Sequence, residues 1–313
     1  MNIIKGIALN GIFIAIIAHG LIGISLVWDK VLLQRKGTQN LISYVFWLGA
    51  ISIFGLILIP FGFKFPSWQL AGLGFAAGVL DLIASFFYYW ALKAGEASDE
   101  LAAMGGFGPV ATALIAMPLL KSPLGGQLLG FAIMTAGGFV MFFAERKPLK
   151  KMLPKIVIAS AGFGLTAVLQ KIVFNHANFV TGYVFFTFGT FIGSLALLVP
   201  PSWRQQIHQQ SGGDAPKNRF WYFVNRFIAG VGSFLVVFAV SRSTPALVEA
   251  VSGVRYAIIF VCAYAITQWR PNWFKEDFRS WALAAKATGT SLVIAGLVLV
   301  GLHGGHAGGG GPQ

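Results

Sequence analysis

Apolar residues in this chain run in long blocks. Stretches at about 6–28, 41–60, 68–92, 98–120, 125–144, 154–174, 179–199, 220–243, 245–268 and 281–302 each approach or exceed the ~20 residues a helix needs to cross a bilayer. Ten membrane helices are predicted. The interruptions carry charge or turn chemistry: Gln34 to Gly37, Phe65-Pro66, Glu96 to Glu100, Ser122-Pro123, Glu145 to Lys155, Pro200-Pro201 and Arg270-Pro271. Strands of a membrane barrel would alternate apolar and polar residues, and runs such as Ile51 to Ile59 do not. The predicted fold class is therefore all-α integral membrane. The first segment lacks a small-residue cleavage pattern before Asp29-Lys30, so it reads as a retained helix and not a signal peptide. Residues 200–219, rich in Gln and Gly, are expected to form a mobile polar loop, and the Gly-rich tail 303–313 to be disordered.

Composition agrees with a lipid solvent. Of 313 residues, 56% are hydrophobic and only 11% charged, which excludes an ordinary soluble domain. Twenty-three Lys and Arg against 10 Asp and Glu leave a net charge of +13; in a membrane chain this excess speaks to orientation and not to nucleic acid. Lys5, Lys64, Lys121 and Arg242 lie on the side shared by the termini. Most other cations, including Arg146, Lys147, Lys150, Lys151 and Lys155, lie opposite. The charge bias thus places both termini outside. Cys262 stands alone, so no disulfide framework or Cys-based metal site is predicted. His303 and His306 sit in the Gly-rich tail, which offers a metal no preorganised site.

The chain repeats itself. GISLVWDK at Gly23 to Lys30 resembles GLTAVLQK at Gly164 to Lys171, offset 141. Tyr44 to Trp47 meets Tyr183 to Phe186, Pro60 meets Pro200, Ala91-Leu92 aligns with Ala239-Val240, and Gly130 and Gly137 correspond to Gly289 and Gly296. The predicted organisation is a five-helix repeat at 1–145, a basic connection at 146–153, a second repeat at 154–302 and the tail 303–313. An odd number of crossings per half inverts the second copy, an arrangement found in many secondary transporters.

On these residues, together with Pro109 to Leu114 (PVATAL), Gln127 to Gly130 (QLLG) and Gly137-Gly138, the chain resembles the drug/metabolite transporter superfamily, specifically its ten-helix EamA-type members. The resemblance covers nearly everything to 302. It implies a secondary transporter with a central cavity lined by helices one, three, four, six, eight and nine, and termini in the cytoplasm, opposite to the charge bias. Substrates across that family run from amino acids and amines to nucleotide sugars. Where the family often has Glu after helix four, this chain has Lys121-Ser-Pro123, so that role does not carry over.

Ionisable side chains at bilayer depth are costly and default to functional candidates. Asp81, midway along helix three, is too short to reach either interface; it is expected either to exchange protons in a transport cycle or to form a structural ion pair. Arg226 aligns one turn from the position equivalent to Asp81, so an Asp81–Arg226 contact is one expectation and snorkelling to the headgroups the alternative. In helix nine, Glu249 either caps the first turn or faces the cargo, while Arg255 and Tyr256 suit a bidentate anion contact and an aromatic contact. In a continuous helix Glu249 and Arg255 stand about 120° apart. Lys30 and Lys171, repeat mates, read as interfacial anchors or as gating cations. Tyr88-Tyr89-Trp90 reads as an interfacial belt or a cargo platform. Gly189 and Gly193 suit close helix packing.

No HExxH, GxSxG, P-loop or paired intramembrane Asp motif occurs, so the sequence predicts no enzyme and no cofactor. The expected partners are the bilayer, a small-molecule substrate, and a coupling proton or counter-substrate; oligomeric state is not legible. A multi-pass position in a plasma or bacterial inner membrane follows. The leading expectation is a secondary active transporter of a small polar or amphipathic metabolite (an amino acid, amine or drug-like molecule). A sugar phosphate or nucleotide sugar is the rival cargo, and a non-transporting scaffold the rival class.

Overall fold

A computed structural model describes residues 2–33, 40–94, 97–121, 128–143, 149–212, 216–269 and 280–303. The tail 304–313, the interruptions at 34–37, 122–123 and 270–271, and parts of those at 96–100 and 145–155 lie outside the described residues, as do the side chains of Tyr256 and His303. Among the described residues every regular element is helical: α1 (Asn2–Leu33), α2 (Leu41–Ile51), a 3₁₀ segment (Ser52–Phe61), α3 (Trp68–Ala94), α4 (Ala97–Leu120), α5 (Leu128–Phe143), α6 (Leu149–His176), α7 (Phe179–Ala196), α8 (Pro201–Gly212), α9 (Pro216–Arg242), α10 (Pro245–Ala250), α11 (Gly253–Trp269) and α12 (Ser280–His303).

Seven stretches among the described residues are long and apolar enough to cross a membrane: Gly11–Leu33, Leu41–Phe61, Trp68–Lys93, Met152–His176, Phe179–Ala196, Phe220–Arg242 and Pro245–Trp269. Backbone polar groups in lipid must bond within their own segment, which is why apolar blocks of this length become helices. Gly106–Leu120 and Leu128–Val140 form shorter apolar helices. The molecule is a multi-pass helical membrane protein.

Three sequence expectations are corrected. The second apolar run changes winding at Ser52 and continues as ten residues of 3₁₀ helix, far beyond the three or four usual for that geometry. Ser52 Oγ bonds back to Gly49 O and also to Thr187 O, anchoring the change on α7. The ninth run is interrupted after Ala250 and resumes at Gly253, which packs so closely on Val293 that a Cβ would overlap it. Finally, 201–212 is a helix and not a loop. Pro201 starts it, and Trp203, Gln206 and Ile207 turn inward at helical spacing; Trp203 stacks on Phe86 at 6.5 Å and Gln206 accepts from Asn40 Nδ2 at 3.1 Å. Three inward residues leave too weak a stripe among glutamines to be read from sequence.

Close crossings hold the bundle. α3 packs along α6 and α7, α1 along α9, and α5 along α12. A Cβ at Gly189 would collide with Phe75 O of α3, and Gly193 lies against Leu82 and Val79, so the GxxxG serves backbone approach. The main core gathers Leu26, Tyr44, Leu82, Tyr89, Leu92 and Ile259 between these helices.

Candidate functional site

A cavity of about 600 Å³ occupies the middle of the bundle. α3 lines it with Asp81, Ser85 and Tyr88, spaced on one helical face, and Tyr89 joins them. α1 contributes Asp29, α6 Thr166 and Gln170, α9 Arg226 and Phe234, α10 Glu249, and α11 Arg255. The 3₁₀ segment and α7 line it as well, with Ser52 and Leu58, and with Tyr183 and Thr187; the family resemblance had not implied these two walls.

The site's most connected charge was missed in the sequence. Asp29 is fully buried and pairs with Arg226, itself 4% exposed. Its Oδ1 also accepts from Tyr44 Oη and Asn225 Nδ2, and its Oδ2 from Tyr89 Oη at 3.1 Å. Tyr89 Oη in turn accepts from Arg226 Nη1 at 3.0 Å. The guanidinium sits among the rings of Tyr44, Tyr89 and Tyr222, with centroids at 5.3, 5.7 and 5.6 Å. Charge-assisted bonds and cation–π contacts thus compensate both ions where water cannot. Asp29 has the same short side chain as Asp81 and cannot snorkel either; its place beside Lys30, four residues from the end of α1, made it read as a flank.

Arg226 therefore pairs with Asp29 and not with Asp81, and it does not snorkel. Asp81 has neither a hydrogen bond nor an ion pair among the described residues; Tyr183 is close enough to feel its charge. Glu249 does not cap the first turn, since α10 begins at Pro245 with Thr244 at its N-cap. It lines the cavity against Gly108 and interacts electrostatically with Arg255, which stands beyond the break at 251–252. Arg255 Nη2 donates to His19 Nδ1 at 2.7 Å, and His19 Nε2 lies 2.9 Å from Val248 O. A guanidinium only donates and a carbonyl only accepts, so His19 is neutral with its proton on Nε2. Arg255 Nε is buried without a hydrogen-bond partner among the described residues.

Neither Lys30 nor Lys171 lines the cavity. Lys30 Nζ donates to Leu92 O near the end of α3 at 2.8 Å, and Lys171 Nζ to Val240 O and Ser241 O near the end of α9 at 3.2 and 3.3 Å. Each places a cation on the negative end of a helix. Of the aromatic triplet, Tyr88 and Tyr89 are buried and face the cavity, whereas Trp90 is exposed with Lys155 Nζ 4.1 Å from its ring centre.

No protein-family model and no curated protein matches the chain. A solved structure described only as "Crystal structure of protein" is similar in fold, with a TM-score of 0.62 at 15% identity over 94% of this chain and 96% of its own. The likeness extends over nearly the whole length of both and concerns the fold alone.

Proposed function

We propose that the protein is a secondary active transporter that moves a small polar or amphipathic metabolite by alternating access. The observation that carries this reading is the central cavity: about 600 Å³ at bilayer depth, walled by helices from both halves of the chain and holding Asp81, Glu249 and Arg255. Cavities of 300–1,000 Å³ with few polar groups are the form small-molecule sites take.

Two sets of contacts support ten crossings arranged as inverted five-helix repeats. The repeat mates Lys30 and Lys171 bond to Leu92 O and Val240 O, themselves aligned positions. At the α5–α12 crossing, a Cβ on Gly137 would meet Gly289 O at 2.6 Å and one on Gly296 would meet Gly130 O at 2.6 Å. Each glycine approaches the mate of the other's partner, as a twofold axis between the halves requires. Leu92, Gly130 and Gly137 among these residues also belong to the motifs that carry the resemblance to EamA-type transporters. The buried orphan Nε of Arg255 favours a second reading, an anionic cargo held by that guanidinium. A cell-membrane location and a coupling proton or counter-substrate complete the proposal. Purified protein in liposomes, screened with labelled amines, amino acids and phosphate esters, should exchange one class. Absence of flux and of solute-dependent thermal stabilisation across all three would favour a scaffold instead.

A further inference from the structure

The cavity is not walled by protein on every side. α2 and α9 meet towards one face of the membrane, where Tyr222 Oη donates to Tyr44 O at 3.0 Å and the rings of Trp47 and Phe223 lie 6.0 Å apart. Towards the other face α7 intervenes, with Tyr183 and Phe179 at 5.2 and 5.4 Å from Phe234. Between these contacts runs a seam. Phe54 and Ile57 of the 3₁₀ segment and Phe227, Gly230 and Val231 of α9 all line the cavity. Phe54, Ile57 and Phe227 are nevertheless 71%, 70% and 73% exposed, and a Cβ on Gly230 would meet nothing within 4 Å. Side chains that line an interior cavity and are also this exposed stand at an opening, and at mid-span that opening faces hydrocarbon.

The unusual winding builds one edge of it. With three residues per turn, side chains three apart eclipse, so Phe54, Ile57 and Pro60 form one straight outward column, all exposed. The next column, Ser52, Gly55 and Leu58, is fixed on α7: Ser52 bonds Thr187 O at 3.1 Å, and Gly55 leaves no room for a Cβ beside Thr187. An α-helix would spiral these residues off the seam.

At the inner end of this passage stands Asp81, unpaired among the described residues, while Arg226 is matched by Asp29 and Arg255 lies in the field of Glu249. The space thus runs from an unmatched carboxylate, past Tyr183 and Phe234, to lipid. We propose that the cavity is loaded from within the bilayer through this seam, and that its cargo is an amphiphilic organic cation whose head reaches Asp81 and whose apolar part lies between Phe54 and Phe227. Each added methylene concentrates such a molecule in the bilayer, and the carboxylate with aromatic walls replaces the water around its head. This rests on the transport reading and narrows its cargo.

The test uses the full chain in proteoliposomes with two cations of identical head, tetramethylammonium and decyltrimethylammonium. The longer cation is expected to bind at least tenfold more tightly. Gly230→Trp, which fills the seam, should slow its entry at least tenfold more than that of tetramethylammonium; Phe54→Ala should speed it; Asp81→Asn should abolish binding of both. Should Gly230→Trp lower the melting temperature, Val231→Trp fills the same opening from the neighbouring residue. Equal affinity for the two cations, or equal response of both to the seam variants, would overturn the proposal. Flux of an amino acid or phosphate ester with neither cation bound would overturn it and leave the transport reading standing; no flux of any solute would remove both.

Discussion

Asp29 receives hydrogen bonds from Tyr44, Tyr89, Asn225 and Arg226, so its loss strands a buried guanidinium. Asp29→Asn should cost about 3–5 kcal/mol, seen as a sharp drop in detergent melting temperature. Asp81 has no such partner to strand. Asp81→Asn keeps the shape and hydrogen-bonding capacity of the side chain, so melting should stay near wild type while pH-dependent flux is lost. A stable variant with unchanged pH-dependent flux would exclude Asp81 from coupling. Asp81 was legible in the sequence because mid-helix depth alone singles out a short acid. The Asp29 network was not, because Tyr44, Tyr89, Tyr222 and Asn225 belong to helices whose contacts no local pattern encodes.

Among elements, hydrophobic length located the seven long apolar helices, since each must saturate its own backbone bonds in lipid. It did not reveal how the second run is wound or where the ninth is broken. Both depend on neighbours: Thr187 against Gly55 and Val293 against Gly253. Winding and break both fall in the cavity wall: the first aligns Phe54 with Ile57, and the second lies between Glu249 and Arg255. The α5–α12 crossing offers a test of packing apart from chemistry. Gly296→Val would push a branched side chain into Met134 and Gly130 O and should cost about 1–3 kcal/mol or more, measured by thermal melting. Binding by the protein that remains folded should be unchanged, because no described side chain of α12 lines the cavity.

At the scale of the whole molecule, the deepest signal in the sequence is its self-similarity, from which the repeat is proposed. Lys30 and Lys171 align as mates in that reading, but their bonding partners were not legible: a cation near a helix end can meet any neighbouring carbonyl, and the packing of α3 beside α1 and of α9 beside α6 supplies these. Two halves around one cavity can exchange its exposure between membrane faces if they rock against each other. Ser85, buried on the cavity-facing side of α3, reports that exposure. The decisive measurement is alkylation of Ser85→Cys, in a Cys262→Ser background, by a membrane-impermeant maleimide applied separately to each face of sealed vesicles. Alternating access predicts labelling from both faces, with transported cargo slowing one rate and raising the other. Labelling from a single face under every condition would mean a fixed pocket and contradict the transport proposal.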